Sequence, residues 1–263
     1  MISENDRLDA LLRTLLAERP EHSHIAIPST IAEKRDLLRA LMNIRMPEPL
    51  DKETLKLQDE ELAAQREEKG VVKLDSIKPS PLYPKLRLWQ GDITRLQVDA
   101  IVNAANSRML GCFVPLHKCI DNAIHSAAGM ELREECDHIM QQQGHPEPTG
   151  QAKITHGYNL PAKWVIHTVG PIVHGAYPTE KDCHLLSDCY TNCLLLADKY
   201  GLQSVAFCCI STGEFHFPQQ EAAEIAVRTV REYLESHPQS SVDTVVFNVF
   251  KDSDLAIYEK ILN

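Results

Sequence analysis

Short apolar runs alternate with amphipathic helical patterns over the last two thirds of the chain. The apolar runs are bounded by turn residues, which is typical of buried strands, while the segments between them repeat apolar side chains at helical spacing. This alternation predicts an α/β domain with a largely buried sheet. The predicted strands are Lys85–Gln90, Ala100–Ala104, Ala152–Tyr158, Trp164–Val169, Ser204–Ile210 and Thr244–Phe250, and the predicted helices are Ile120–Gln142 (interrupted near Gly129), Lys181–Tyr200, Gln219–Ser236 and Asp252–Leu262.

Polar clusters follow three of the predicted strands. The segment GDIT follows the first strand, NAAN lies at the end of the second, and STGEFHFP follows the fifth. In open α/β sheets, ligands bind beyond the carboxyl ends of the strands. We therefore expect a binding site at this edge of the sheet.

The first 70 residues contain helical patterns alone. Residues 51–69 are strongly charged with a thin apolar stripe, and three prolines between residues 79 and 84 indicate a linker or turn. We predict a helical extension over residues 1–80 and an α/β domain over residues 81–263. The extension either packs on the main domain or provides a docking surface for a partner. The leucines at helical spacing in its first helix are Leu8, Leu11, Leu12, Leu15 and Leu16.

The acidic balance of the chain restricts its partners. Its 263 residues include 27 basic and 37 acidic side chains, for a formal net charge of −10 with histidine neutral. Nucleic acid is disfavoured as a partner, because non-specific binding to it needs a basic surface. A small anionic ligand is still allowed, since backbone N–H groups can hold phosphate without net positive charge.

Composition places the chain among globular proteins of a reducing compartment. Hydrophobic residues make up 43% and charged residues 24% of the chain. No apolar run approaches the ~20 residues of a membrane span, and the N-terminus does not resemble a secretory signal. The eight cysteines are therefore expected to be thiols or metal ligands. We expect a cytoplasmic protein that does not contact a membrane.

Three possible metal ligands lie close together in the segment after NAAN. Cys112, His117 and Cys119 form a C-x4-H-x-C arrangement, and Gly111 and Pro115 favour a loop that could wrap one ion. Thiolate and imidazole are ligands that zinc prefers, and three protein ligands suit a catalytic site with an open position. The alternative is that the cysteines are small buried hydrophobic residues and the histidine is incidental.

Asp121 and His125 follow this segment at the start of a predicted helix. Asp121 is either an N-cap or a carboxylate that orients water or a sugar hydroxyl beside the metal. His125 lies one turn later on the same face, where a structural role is the simpler interpretation.

A second candidate site is the loop that joins the fifth strand to the next helix. Ser211, Thr212 and Gly213 form a small-residue turn before a helix, which presents backbone N–H groups and suits a diphosphate. Phe215 and Phe217 either flank a ring of the ligand or fasten the loop to the core.

The order of these motifs resembles the macrodomain family. The segments GDIT, VDAIVNAAN, IDNAIHSAAG, STGEFHFP and VVFNVFKDSD occur in the family's order over residues 85–263. The resemblance implies a three-layer α/β/α sandwich with a mixed central sheet that binds ADP-ribose. Many members of the family hydrolyse ADP-ribosyl adducts.

One segment departs from the common family pattern. The usual glycine-rich stretch after NAAN is replaced by GCFVPLHKC, and His216 stands where the family often has glycine. The replacement resembles a zinc-dependent microbial subfamily found beside a sirtuin-type ADP-ribosyltransferase, which also carries an N-terminal helical extension. This resemblance implies one Zn²⁺ per chain, held by Cys112, His117 and Cys119.

The resemblance also implies roles for individual residues. Asp92 and the Ile93 backbone would contact the adenine amino group, Phe250 would stack on adenine, and Asn106 would bind the distal ribose. Asp121 and Asn106 would act in catalysis. The diphosphate would be wrapped by Ser211, Thr212, Gly213, Glu214 and Phe215.

We therefore expect a zinc-dependent, glycosidase-type hydrolase that removes single ADP-ribose units from Asp or Glu side chains of modified proteins. The alternatives are a non-catalytic ADP-ribose reader with a structural zinc and an O-acetyl-ADP-ribose deacetylase. The family context implies that the modified protein is a lipoyl carrier that resembles the glycine-cleavage H protein.

Overall fold

The computed structural model describes residues 2–22 and 24–263. In these ranges, three N-terminal helices precede an alternation of strands and helices, and no helix is both long and apolar enough to cross a membrane. The helices are α1 (Glu4–Ala17), α2 (Ile31–Ile44), α3 (Lys52–Lys69), α4 (Ile120–Ala128), α5 (Met130–Gln143), α6 (Glu180–Lys199), α7 (Gln219–Ser236) and α8 (Asp252–Leu262), and the strands are β1 (Val72–Lys73), β2 (Leu86–Gln90), β3 (Leu96–Gln97), β4 (Ala100–Ala105), β5 (Ala152–His156), β6 (Trp164–Val169), β7 (Ser204–Phe207) and β8 (Thr244–Val249).

The central sheet has six strands in the order β2-β8-β7-β4-β6-β5. Neighbouring strands are parallel except for β5, which runs antiparallel to β6. The predicted α/β fold with a mixed sheet is therefore confirmed. The carboxyl ends of the five parallel strands lie along one edge, where the polar clusters of the sequence follow them. A separate parallel pair joins β1 to β3.

Helices α4 and α5 cover one face of the sheet. Asn103 of β4 pairs with His167 of β6 in register, so their side chains point to the same side. The Asn103 amide donates to Asp121 of α4, and Nε2 of His167 lies 3.9 Å from Sγ of Cys136 on α5.

Helices α6 and α8 cover the opposite face. The register of β4 with β7 places Phe207 on the other side of the sheet from Asn103, and Phe247 is its neighbour in register. Phe207 packs against Tyr190 of α6 with ring centroids 4.9 Å apart, and Phe247 packs against Tyr258 of α8 at 5.3 Å. The sheet is therefore the middle of three layers.

Two strands are shorter than the sequence pattern predicts. The strands expected over Ala152–Tyr158 and Ser204–Ile210 end at His156 and Phe207. Tyr158 has a φ of +49°, a left-handed conformation that cannot continue an extended strand. After Phe207 the chain leaves the sheet to form the loop before α7. Cys208 and Ile210 stay buried after the strand ends, and periodicity cannot separate such core packing from strand pairing. Tyr158 is instead exposed, and its hydroxyl donates to Glu135 at 2.8 Å.

The predicted interruption at Gly129 is confirmed and serves a packing role. Gly129 has a φ of +106° and separates α4 from α5. An added Cβ would lie 2.8 Å from Nε2 of Gln58 on α3, so only glycine allows this close approach. The Met130 backbone N–H then donates to Oε1 of Gln58 at 2.8 Å. The interruption is thus a point where the N-terminal helices pack on the α/β unit.

The N-terminal helices have an apolar core of their own and a buried ion pair at its edge. Glu61 of α3 is fully buried and accepts from Arg7 of α1 at 2.7 Å and from Arg35 of α2 at 2.8 Å. These bonds connect all three helices. The apolar side chains of this core include Leu8, Leu11, Leu12, Leu15, Leu16, Leu38, Leu41, Met42 and Leu62.

Replacing Glu61 with alanine should lower the free energy of unfolding by about 3–5 kcal/mol, because Arg7 would remain buried without its carboxylate. Chemical denaturation of the full chain measures this loss. The preceding residue, Glu60, is the matched control, because its carboxylate lies on the surface with Oε1 3.9 Å from Nζ of Lys56. The Glu60→Ala protein should change by less than about 1 kcal/mol. Equal losses in the two variants would contradict the structural role of Glu61.

A buried histidine of β6 links this strand to its two neighbours in the sheet, β4 and β5. The Asn103 amide donates to Nδ1 of His167 at 3.1 Å, so the proton is on Nε2, which donates to the Thr155 hydroxyl at 2.9 Å. Complete burial lowers the pKa of His167 to about 3 because no anion compensates the charged ring. The fold therefore requires a neutral imidazole at this position.

Stability should fall in acid because of His167. Its pKa is about 3 in the folded protein and near 6.5 when unfolded, so between these values only the unfolded chain binds the proton. From pH 6 to pH 4, the wild type should lose about 1.4 kcal/mol more per pH unit than His167→Gln. Denaturation curves of both proteins across this range measure the difference. Parallel pH profiles would contradict the assignment.

Candidate functional site

The residues predicted to bind a ligand form a row along the carboxyl edge of the sheet. Asp92 follows β2, Phe250 follows β8, the loop from Ser211 follows β7, and Asn106 follows β4. These strands are adjacent in that order. Neighbouring strands are about 4.8 Å apart, so the row extends over about 14 Å. It suits an elongated ligand whose parts contact successive loops.

At one end of the row lie a carboxylate and an exposed aromatic ring. Oδ1 of Asp92 accepts from the backbone N–H and the hydroxyl of Thr94, while Oδ2 lies 3.9 Å from Nζ of Lys69 on α3. The Ile93 side chain is buried, so only its backbone is available to a ligand. Phe250 is 75% exposed and presents its ring to solvent. This end can receive a planar ring that donates hydrogen bonds.

The loop after β7 presents free backbone donors. Ser211 has a φ of +65°, and the N–H of Phe217 donates back to the Ser211 carbonyl at 2.9 Å, which closes the loop. Within the part of the chain that the structure describes, the backbone N–H groups of Gly213, Glu214 and Phe215 have no acceptor. Free N–H groups just before a helix form a site for an anion.

The backbone N–H groups of two other residues in this loop donate within the loop and are not available to a ligand. The Thr212 N–H donates to the Cys209 carbonyl at 3.4 Å, so it is directed toward the turn itself. His216 has a φ of +58°, and its N–H donates to the Gly213 carbonyl at 3.1 Å. A left-handed backbone favours glycine, which explains why histidine is an unusual residue at this position.

A buried carboxylate organises the other end of the row. Oδ1 of Asp121 accepts from the Asn103 amide at 2.7 Å, and Oδ2 accepts from the Asn106 amide at 3.3 Å. The Asn106 amide also donates to the Gly111 carbonyl at 3.1 Å, at the start of the loop with the candidate metal ligands. Burial raises the pKa of Asp121 to about 6, and the hydrogen bond from Asn103 opposes this rise.

Asp121 is not the N-cap of α4. The helix begins at Ile120, and Sγ of Cys119 accepts from the Asn122 backbone N–H at 3.4 Å, so Cys119 is the N-cap. The N-cap interpretation of Asp121 is therefore wrong. The carboxylate lies in the first turn of the helix, where its negative charge is favoured by the helix dipole.

The three candidate metal ligands meet in the loop before α4. The ligand atoms of Cys112, His117 and Cys119 lie within 4.8 Å of one another, and Sγ of Cys112 is 3.7 Å from Nδ1 of His117. Tetrahedral zinc with Zn–S of about 2.3 Å and Zn–N of about 2.0 Å holds its ligands roughly 3.5 Å apart. Both the donor types and their spacing therefore fit zinc. All three residues are partly exposed, which leaves space for a further ligand.

A second histidine and cysteine group lies beneath this loop. His125, Cys136 and His167 also bring their ligand atoms within 4.8 Å, but all three are buried, and both ring nitrogens of His167 already have hydrogen-bond partners. His125 Nε2 lies 3.6 Å from Oδ1 of Asp121, and burial lowers the pKa of His125 well below its usual value. An added Cβ on Gly111 would lie 2.9 Å from the His125 ring, so this ring supports the loop from below.

Two side chains that hold this end of the site, Asn103 and Arg133, are not indicated by the motifs of the sequence. Asn103 is a polar residue in the otherwise apolar strand β4, and this contrast could have indicated a functional side chain. Arg133 of α5 donates to the Leu110 carbonyl at 2.7 Å, and its guanidinium lies 4.2 Å from the centre of the Phe113 ring. No sequence pattern indicates this contact, because it depends on how α5 packs beneath the loop.

Comparison with known proteins agrees with this geometry. The sequence profile of the Macro domain matches residues 102–226. The chain is 48% identical to a protein-ADP-ribose hydrolase of Treponema medium, with 100% of both chains covered. It is also 48% identical to a protein-ADP-ribose hydrolase of Staphylococcus aureus strain MSSA476, over 99% of this chain and 97% of that protein.

A solved structure supports the same assignment. The fold is similar to that of the Trypanosoma brucei macrodomain in complex with ADP-ribose, with a TM-score of 0.67 and 31% identity over 85% of this chain and 95% of the other. The macrodomain fold expected from the sequence motifs is thus confirmed, while membership of the zinc-dependent subfamily stays a prediction. Because relatives with 48% identity align with nearly the whole chain and the Macro domain profile matches its centre, the chain belongs to the Macro domain family.

Proposed function

We propose that this protein is a zinc-dependent hydrolase that releases ADP-ribose from mono-ADP-ribosylated proteins by cleaving an ester-type linkage to Asp or Glu. The observation that carries the proposal is the order of groups along the sheet edge: an exposed ring, a set of free backbone donors, then a buried carboxylate beside possible metal ligands. The parts of ADP-ribose follow one another in this same order. The relatives named protein-ADP-ribose hydrolases support the reaction.

The binding half of the proposal uses the first three groups of the row. Phe250 stacks on adenine, and Oδ2 of Asp92, the oxygen that Thr94 does not occupy, accepts from the adenine amino group. The backbone donors of Gly213, Glu214 and Phe215 hold the diphosphate. These donors are dipoles rather than full charges, so a chain with a net charge of −10 can still bind an anion.

The catalytic half uses the residues around Asp121. The Asn103 amide fixes one carboxylate oxygen, which orients the other toward Asn106 and residues 111–119, the metal-binding loop of this proposal. Asn106 and Asp121 then position the distal ribose and water by hydrogen bonds. Cys112, His117 and Cys119 would hold zinc. The ion would supply Lewis-acid polarisation of ribose hydroxyls or water, and the two thiolates would moderate this effect.

The substrate side of the proposal is a modified lipoyl carrier that resembles the glycine-cleavage H protein. Support for this partner comes from the family resemblance of the GCFVPLHKC segment. The proposal also locates the reaction in the cytoplasm, where the eight free thiols of this chain would stay reduced.

Replacing Cys119 with serine tests the metal and the reaction together. Serine keeps an oxygen that can cap α4, yet it is a poor zinc ligand, so the fold should persist while zinc is lost. We expect release of ADP-ribose from an aspartyl-modified protein to fall at least about 100-fold. Cys183 on α6 is the matched control, because its thiol lies near Glu221 and outside the candidate site.

The Cys183→Ser protein should keep both zinc and activity. Full activity of metal-free Cys119→Ser would contradict the zinc-dependent mechanism. If the wild type binds zinc and ADP-ribose but releases no ADP-ribose from protein, the protein is a reader with a structural metal. If the protein hydrolyses O-acetyl-ADP-ribose to acetate and ADP-ribose but leaves the modified protein intact, it is instead a deacetylase.

Removing the Phe250 ring tests the adenine end of the site. Stacking of an aromatic ring on a base contributes about 1–3 kcal/mol, so Phe250→Ala should weaken ADP-ribose binding roughly 5- to 150-fold in calorimetric titrations. Tyr200 is the control, since it is an exposed ring that packs on Trp164 at the amino end of β6. Unchanged affinity in Phe250→Ala would contradict the placement of adenine.

A further inference from the structure

Helix α2 of the N-terminal extension contacts the backbone of the metal-binding loop. Nη2 of Arg39 donates to the backbone carbonyl of His117 at 3.1 Å. The same guanidinium donates to Oδ1 of Asn122 from Nη2 at 2.8 Å and from Nε at 3.3 Å. Arg39 therefore joins a candidate metal ligand to the first turn of α4.

A second side chain of α2 holds the residue just before that ligand. Oδ1 of Asn43 accepts from the Leu116 backbone N–H at 3.0 Å, and its amide donates to the Ser126 hydroxyl at 2.9 Å. Leu116 has a φ of +56°, which is costly for a residue with a Cβ, and its side chain is exposed. Because no core packing fixes Leu116, the turn into His117 depends on hydrogen bonds: the Leu116 N–H donates to Asn43, and the His117 N–H donates to the Val114 carbonyl at 3.2 Å.

Asn122 extends these contacts to a second ligand. Its backbone N–H donates to Sγ of Cys119 at 3.4 Å, and its side-chain amide donates to the Val114 carbonyl at 3.0 Å. Asn122 is fully buried, and Arg39 occupies the other side of its amide group. The arginine of α2 thus reaches the loop directly through His117 and indirectly through Asn122.

We propose that Arg39 and Asn43 are positioning residues for the metal site, so that the N-terminal extension sets the affinity of the loop for zinc. This inference rests on the proposed function, because it presupposes that Cys112, His117 and Cys119 bind zinc. Partners that orient metal ligands without touching the metal change affinity by about 10- to 100-fold when removed. The extension is then part of the site rather than an appendage.

Arg35 provides a matched control on the same helix. It lies one turn before Arg39, and its described ion pairs are with Glu4, Glu61 and Glu68, all inside the extension. Replacing Arg35 with methionine should therefore disturb the packing of the extension without removing a contact to the metal-binding loop.

The test measures zinc affinity of the full chain by competition with a chromophoric chelator. Arg39→Met and Asn43→Ala should each raise the Kd for zinc about 10- to 100-fold, whereas Arg35→Met should leave it unchanged. The absorption spectrum of bound Co²⁺ should also change in Arg39→Met and Asn43→Ala alone, because the ligand geometry differs. Melting curves without metal identify any variant that is poorly folded. Because Arg39 and Asn43 make different contacts with the loop, one variant still tests the proposal if the other does not fold.

The outcomes separate this inference from the proposed function. If the wild type binds zinc and neither Arg39→Met nor Asn43→Ala weakens it, the positioning role is overturned while the proposed function stands. If all three variants weaken binding equally, the extension acts through overall stability and the positioning role is again overturned. If the wild type binds no zinc, both proposals fail.

Discussion

The buried carboxylate of Asp121 is the constraint on which the site depends. Two amides from the end of β4, those of Asn103 and Asn106, donate to its two oxygens and so join the sheet to the first turn of α4. A buried carboxylate is costly unless it is hydrogen-bonded, and burial raises the pKa of Asp121 to about 6 even with the hydrogen bond from Asn103. The loop between Asn106 and Asp121 is consequently fixed at both ends, and it carries the three candidate metal ligands.

The remaining parts of the site follow from the parallel sheet. Each parallel strand ends at the same edge, so loops that are distant in sequence become neighbours in the order of the strands. The candidate recognition groups at this edge are backbone donors, one aromatic ring and the carboxylates of Asp92 and Asp121. This choice suits an acidic chain, because backbone N–H groups bind a diphosphate without requiring a basic surface. The N-terminal helices complete the edge through Lys69 near Asp92 and through Arg39 at the loop with the candidate metal ligands.

Sequence patterns predicted the architecture well and the side-chain network poorly. Periodicity located the main helices and strands because burial of one face imposes a regular spacing. The glycine at position 129 indicated the interruption, because glycine readily adopts a positive φ. The strand end at Phe207 was misplaced because buried apolar residues continue past the paired segment, and the end near Tyr158 was misplaced because its left-handed backbone has no sequence signal. The N-cap alternative for Asp121 failed because a cysteine performs that role. The contacts of Arg39 and Asn43 had no sequence signal, because they depend on how the extension packs against α4.

The central claim is that zinc held by this loop is required for release of ADP-ribose from protein. The most direct test combines the metal content of protein purified without added zinc, by mass spectrometry, with ADP-ribose release from an aspartyl-modified protein before and after chelation. The account predicts about one zinc per chain, loss of release on chelation and recovery when zinc is restored. Release at an unchanged rate from metal-free protein would contradict it.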